Sequence, residues 1–121
     1  MADVIVVDAS ALIAFLDPDD AHHTSAVDAL AAATPPLIVH RITAAEVLVG
    51  PTRRGTVDAV WRDLVAIGVE LDDDVIDPHA LAALRVESGC KLPDCCVIAV
   101  ARARGCDVVT FDARLAAALR E

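Results

Sequence analysis

Four short runs of β-branched and aliphatic residues recur along the chain, at 4–7 (VIVV), 37–40 (LIVH), 68–71 (GVEL) and 107–110 (DVVT). Between them lie stretches of helical length and no tight hairpin turn. Apolar runs of this kind read as strands buried on both faces. Strands joined through helices form a parallel sheet with right-handed crossovers. The expected fold is therefore α/β: a three-layer sandwich with a central parallel sheet of about four strands flanked by helices. At 121 residues and 56% hydrophobic content, the chain suits one domain, 1–121.

The helical segments carry their own punctuation. Residues 10–16 form a short amphipathic helix stopped by Asp17-Pro18-Asp19-Asp20, and residues 21–33 a second one ended by Thr34-Pro35-Pro36. A further helix is expected from Thr43, where Thr43-Ala44-Ala45-Glu46 has the form of a capping box. Gly50-Pro51-Thr52 reads as a break, followed by the basic turn Arg53-Arg54 and an amphipathic helix through Val57, Val60, Trp61, Leu64, Val65 and Ile67, with Trp61 in the core. Asp72-Asp73-Asp74 lacks the glycine and distal glutamate of an EF-hand and reads as a solvated turn. Asp77-Pro78 caps a helix that Gly89 ends, Lys91-Leu92-Pro93-Asp94 opens another closed by Arg104-Gly105, and residues 113–119 form the last.

Composition narrows the functions. Two Phe, one Trp and no Tyr leave a core of Ala, Val, Leu and Ile, and argue against recognition of bases by aromatic stacking. No apolar run spans a bilayer and the amino terminus lacks the positive region of a signal peptide, so a cytoplasmic location with no membrane partner is expected. Cys90, Cys95, Cys96 and Cys106 lack the paired spacing of a zinc site and are expected as reduced core thiols. The acidic start of the second helix, with His22 and His23, reads as ordinary helix-start chemistry rather than a metal site. A net charge of −9 opposes phosphate binding unless carboxylates hold divalent cations, which then present positive charge to the phosphate.

Four acids meet that condition. Asp8 ends the first strand and Asp112 follows the fourth, so both emerge at the carboxyl edge of the sheet, where open α/β sheets bind ligands. Glu46 and Asp94 begin helices entered at that edge. Each also has a local explanation: Asp8 or Ser10 as an N-cap, Glu46 as half of the capping box, Asp94 as a partner of the helix dipole. Together they are an oxygen-only set suited to Mg²⁺ or Mn²⁺ rather than zinc, and a cation would offset their mutual repulsion.

VVDASALIA, TAAEVL, LPDCCVIAVA and VVTFDARL, in this order over nearly the whole chain, resemble the motifs of PIN-domain ribonucleases, above all the small VapC-type toxins of bacterial type II toxin–antitoxin systems. The resemblance implies a PIN-like fold and a metal-dependent endoribonuclease. In it Asp8, Glu46, Asp94 and Asp112 hold one or two Mg²⁺ or Mn²⁺ ions, and a metal-activated water cuts the phosphodiester. Ser10 and Thr110 match polar positions that support the metal site, while Arg41, Arg53, Arg54 and Lys91 are secondary candidates for the RNA backbone. The resemblance also implies a VapB-type antitoxin whose carboxyl-terminal segment blocks the acidic pocket, and a homodimer. Two departures stand out. The further edge strand with which similar toxins often end is missing or very short, and Cys95 and Cys96 stand where small or aliphatic residues are more usual.

Other readings stay open. One is a catalytically inactive PIN-like scaffold that binds RNA or antitoxin. An aspartate-dependent phosphatase would want a second aspartate where Ser10 stands. A phosphoacceptor module would pair adjacent acids near the first strand end with a late lysine, whereas the only lysine here is Lys91.

Overall fold

The computed structural model describes residues 4–73 and 75–120. All four expected strands form, each trimmed to three residues: β1 (Ile5–Val7), β2 (Leu37–Val39), β3 (Val69–Leu71) and β4 (Asp107–Val109). They pair in parallel in the order β3-β2-β1-β4, with Ile5 opposite both Leu37 and Asp107, and Leu37 opposite Val69. The helices are α1 (Ala9–Leu16), α2 (His23–Ala32), α3 (Arg41–Arg54), α4 (Val57–Ala66), α5 (Pro78–Ser88), α6 (Leu92–Arg104) and α7 (Ala113–Leu119).

The sheet divides the core in two. Val6 and Ile38 point to one face and pack with Leu84, Val97, Ile98 and Leu115 of α5, α6 and α7. Val7, Leu37 and Val39 point to the other and pack with Leu12, Leu30, Val47 and Leu64 of α1 to α4. This alternation is the period-two geometry of a strand, with both faces covered as a parallel sheet requires. Val6, Val7, Leu37, Ile38 and Val39 are each no more than 1% exposed, which is why the central runs of β1 and β2 carry no polar alternation, whereas the edge strands β3 and β4 expose Glu70 and Asp107. Cys90 and Cys95 lie fully buried in the first cluster, Cys96 is buried and Cys106 half-buried against that cluster, as expected of small apolar groups. Trp61 is half-buried against the second.

Four local expectations are corrected. Helix α3 starts at Arg41 rather than Thr43, because the ring of His40 takes the cap and accepts the Ile42 N–H at 3.0 Å. The capping box therefore does not form: Thr43 is buried inside the first turn, its hydroxyl without a hydrogen-bond partner among the described residues. Nor does Gly50-Pro51-Thr52 break the chain. Pro51 sits inside α3, and Val47 and Pro51 are both buried there, so packing overrides a helix penalty of about 3 kcal/mol. Thr52 meanwhile donates to the Leu48 carbonyl at 2.7 Å, and α3 ends only at Gly55. Asp72 is no solvated turn residue: it is 2% exposed and paired at 2.7 Å with the guanidinium of Arg104. Asp74 lies outside the described residues. Finally α2 begins at His23, two residues later than expected, because Asp20 first accepts the His22 N–H in a turn.

Candidate active site

Asp8 directly follows β1 and is 4% exposed. It occupies the N-cap position of α1, yet its side chain makes no capping hydrogen bond. Instead Oδ2 accepts from the Ser10 hydroxyl at 2.9 Å and from the Thr110 hydroxyl at 2.8 Å. Each hydroxyl has one proton, so with both donated to Asp8 their oxygens are left to accept, and the backbone completes the pattern. The Phe111 N–H donates to Ser10 Oγ at 2.9 Å and the Asp112 N–H to Thr110 Oγ1 at 3.0 Å. Adjacent strands β1 and β4 are thereby stitched at their carboxyl ends around one carboxylate. The two hydrogen bonds fix the direction of its side chain.

The other three acids stand around this carboxylate. Glu46 is on α3, exposed, beyond the first turn and therefore free of any capping duty. Asp94 is half-buried in the first turn of α6, and Asp112 is the half-buried N-cap of α7. For Asp112 the local role is real, since Oδ1 accepts the Leu115 N–H at 2.9 Å. Their electrostatics show convergence from four elements. Partial burial first, and then the charges of Asp8 and Asp94, raise the proton affinity of Glu46, which Lys91 opposes. Burial, then Asp8 and Asp112, do the same to Asp94, against Lys91 and Arg114. Burial, then Cys95 and Glu46, push up the Cys96 thiol, which places α6 beside α3 at this point.

Of the basic residues singled out from sequence, Lys91 joins the acids as the N-cap of α6. Arg54 shares with Glu46 a cleft between α1, α3 and α4, lined also by Ile13, Leu16, Val60 and Asp63. Arg41 adjoins His40, and Arg53 is exposed about two turns beyond Glu46; neither is brought to the acids. Sequence reasoning missed Arg114. Its guanidinium lies against Gly89, where a Cβ would stand 2.9 Å from Nη2 on a backbone of φ +70°. Only glycine combines that conformation with that clearance. The signal was present in the sequence, two residues after Asp112 in VVTFDARL, but a first-turn arginine opposes the helix dipole and draws no attention.

Among the described residues, no three His, Cys, Asp or Glu side chains come together closely enough to hold a metal ion. The donor set nonetheless suits one. It is all oxygen, it is electrostatically strained in the sense that Glu46 and Asp94 hold protons too tightly, and it matches hard-cation chemistry.

The chain is an α/β protein whose parallel sheet has Asp8 and Asp112 just beyond its strands β1 and β4, at the edge where such sheets bind ligands. The PIN domain family model matches residues 5–120, and the chain belongs to that family. No curated protein matches it by sequence. Solved structures do. VapC20 of Mycobacterium tuberculosis, a toxin that cleaves the sarcin–ricin loop, is 20% identical, with 94% of each chain covered and a TM-score of 0.74. A toxin–antitoxin complex from Klebsiella pneumoniae is 25% identical over 89% of this chain and 86% of that one, with a TM-score of 0.72. A protein of Pyrobaculum aerophilum is 23% identical over 98% and 86%, with a TM-score of 0.67. No helix among the described residues is long and apolar enough to cross a membrane.

Proposed function

We propose that this chain, one PIN domain over 1–121, is a metal-dependent endoribonuclease and the toxin of a toxin–antitoxin pair working in the cytoplasm. The observation that carries the reading is the raised proton affinity of Glu46 and Asp94, caused first by burial and then by neighbouring acids, Asp8 and Asp94 for Glu46, Asp8 and Asp112 for Asp94. Membership of the PIN family and likeness to the Klebsiella pneumoniae toxin–antitoxin complex support it.

Asp8, Glu46, Asp94 and Asp112 would hold one or two Mg²⁺ or Mn²⁺ ions. Bound there, such an ion lowers the pKa of a water and stabilises charge on the phosphate. The protein's own part is positioning. Ser10 and Thr110 keep Asp8 aimed. Lys91 and Arg114, the two cations whose charge reaches Asp94, would hold phosphates of the strand. Attack in line leaves 3′-hydroxyl and 5′-phosphate ends. The partner is a VapB-type antitoxin whose carboxyl-terminal segment lies in the cleft that runs from Ile13 to Glu46, and the toxin is a homodimer.

The test is incubation of the purified chain, freed of antitoxin, with total RNA in Mg²⁺ or Mn²⁺, beside an EDTA control and Asp94→Asn. Discrete cuts bearing 5′-phosphates, absent from both controls, are expected. Intact RNA with Mn²⁺ still raising the melting temperature would replace this reading with an inactive scaffold, which the open spacing of the acids favours. No metal effect at all would remove the acid quartet as a metal site.

A further inference from the structure

Composition counts rings without saying where they stand, and one ring pair stands at the rim of the acid site. His22 and Phe111 are stacked, centroids 4.8 Å apart and planes within 5°. Phe111 lies between Thr110 and Asp112, and its N–H donates to Ser10 Oγ, one bond from Asp8. Its inner surface packs half-buried into the cluster around Val7 and Leu12. Its outer surface carries His22, which is exposed. The His22 backbone is held in turn, its N–H donating to Asp20 Oδ1 at 2.8 Å. The result is a supported planar face, fixed by core packing behind it and a turn beside it, on the residue that joins Thr110 to Asp112.

We propose that the His22 ring, backed by Phe111, is a stacking platform for one unpaired nucleobase of the RNA strand whose phosphodiester enters the acid site. The inference rests on the nuclease reading and adds a residue that touches substrate through a base. Single-stranded RNA is recognised by splayed bases stacked on aromatic or histidine rings. Stacking is indifferent to base identity because every base has a π-face. A strand drawn to this edge by Lys91 and Arg114 would otherwise present its bases to water. Composition argues against base stacking as the general means of recognition, and this pair would be the exception.

The experiment uses the full chain with Asp94→Asn as background, in Mg²⁺, and measures fluorescence anisotropy of short labelled oligo(A), oligo(U) and an abasic strand of equal length. The platform requires tighter binding of the base-bearing strands, a preference that His22→Ala removes with at least about a five-fold loss and that His22→Phe restores. Thermal melts of each variant accompany the titrations. Equal binding of abasic and base-bearing strands overturns the platform. So does unchanged affinity in His22→Ala, or an equal loss for all strands with a lowered melting temperature, which marks a structural strap only. In those cases RNA binding and cleavage by the parent chain persist, and the nuclease reading stands. If the parent binds no RNA and cuts none, both fail together.

Discussion

Asp8 is oriented by two hydroxyls, those of Ser10 and Thr110, and that has a measurable consequence. Removing either hydroxyl leaves the carboxylate buried with one fewer donor and frees its rotamer. Ser10→Ala and Thr110→Val are each expected to lower activity or metal affinity by about 10–100-fold, the usual effect of losing a group that orients a ligand, checked by cleavage rates across a Mn²⁺ titration. Glu46 and Asp94 point the other way. Both bind a proton more tightly folded than unfolded, so their contribution favours folding at acid pH and is lost as pH rises through their raised values. At neutral pH without metal, Glu46→Gln and Asp94→Asn should therefore melt above the parent while losing cleavage. Scanning fluorimetry in EDTA reads the first effect.

Two elements are held by contacts that propensity would not assign. Helix α6 is tied to the end of β3 by Arg104 and the buried Asp72. Truncating the arginine takes the guanidinium away from a buried carboxylate, so Arg104→Met should lower stability by about 3 kcal/mol, the low end for a broken buried pair since Arg104 is itself one-third exposed. Urea denaturation tests it. Helix α3 depends on the neutral ring of His40. Burial, and to a smaller extent Arg41, lowers its pKa against an opposing pull from Asp72. Unfolded histidine protonates near pH ~6.5, so the unfolded state takes up protons first. Stability present above that pH falls as acid approaches the lowered folded value. His40→Asn, a cap that does not titrate, should abolish this acid-side loss in pH-dependent unfolding.

At the scale of the molecule, a chain of net charge −9 must bring a polyanion to its acids. Lys91 and Arg114 are the local positive groups, so Lys91→Glu or Arg114→Glu should weaken RNA binding alike for all sequences and flatten its salt dependence by about one phosphate each; anisotropy at several salt concentrations measures both. Four apolar runs joined by helical stretches sufficed to read the parallel sheet, because burial on both faces leaves no other pattern. The placing of Asp8, Asp94 and Asp112 beside strand ends or helix starts was equally legible, since the chain path alone puts those points at one edge. The capping ring of His40, the intact helix through Pro51 and the burial of Asp72 were not legible. The first is one local cap displacing another, and in the other two packing or a distant partner, Arg104 for Asp72, overrode a local preference. The same holds for Arg114 against Gly89 and for His22 on Phe111. Sequence determined which chemistry the edge would carry. Only the tertiary structure decided which side chains, brought in from distant segments, would surround it, because those neighbours are chosen by packing geometry and not by spacing.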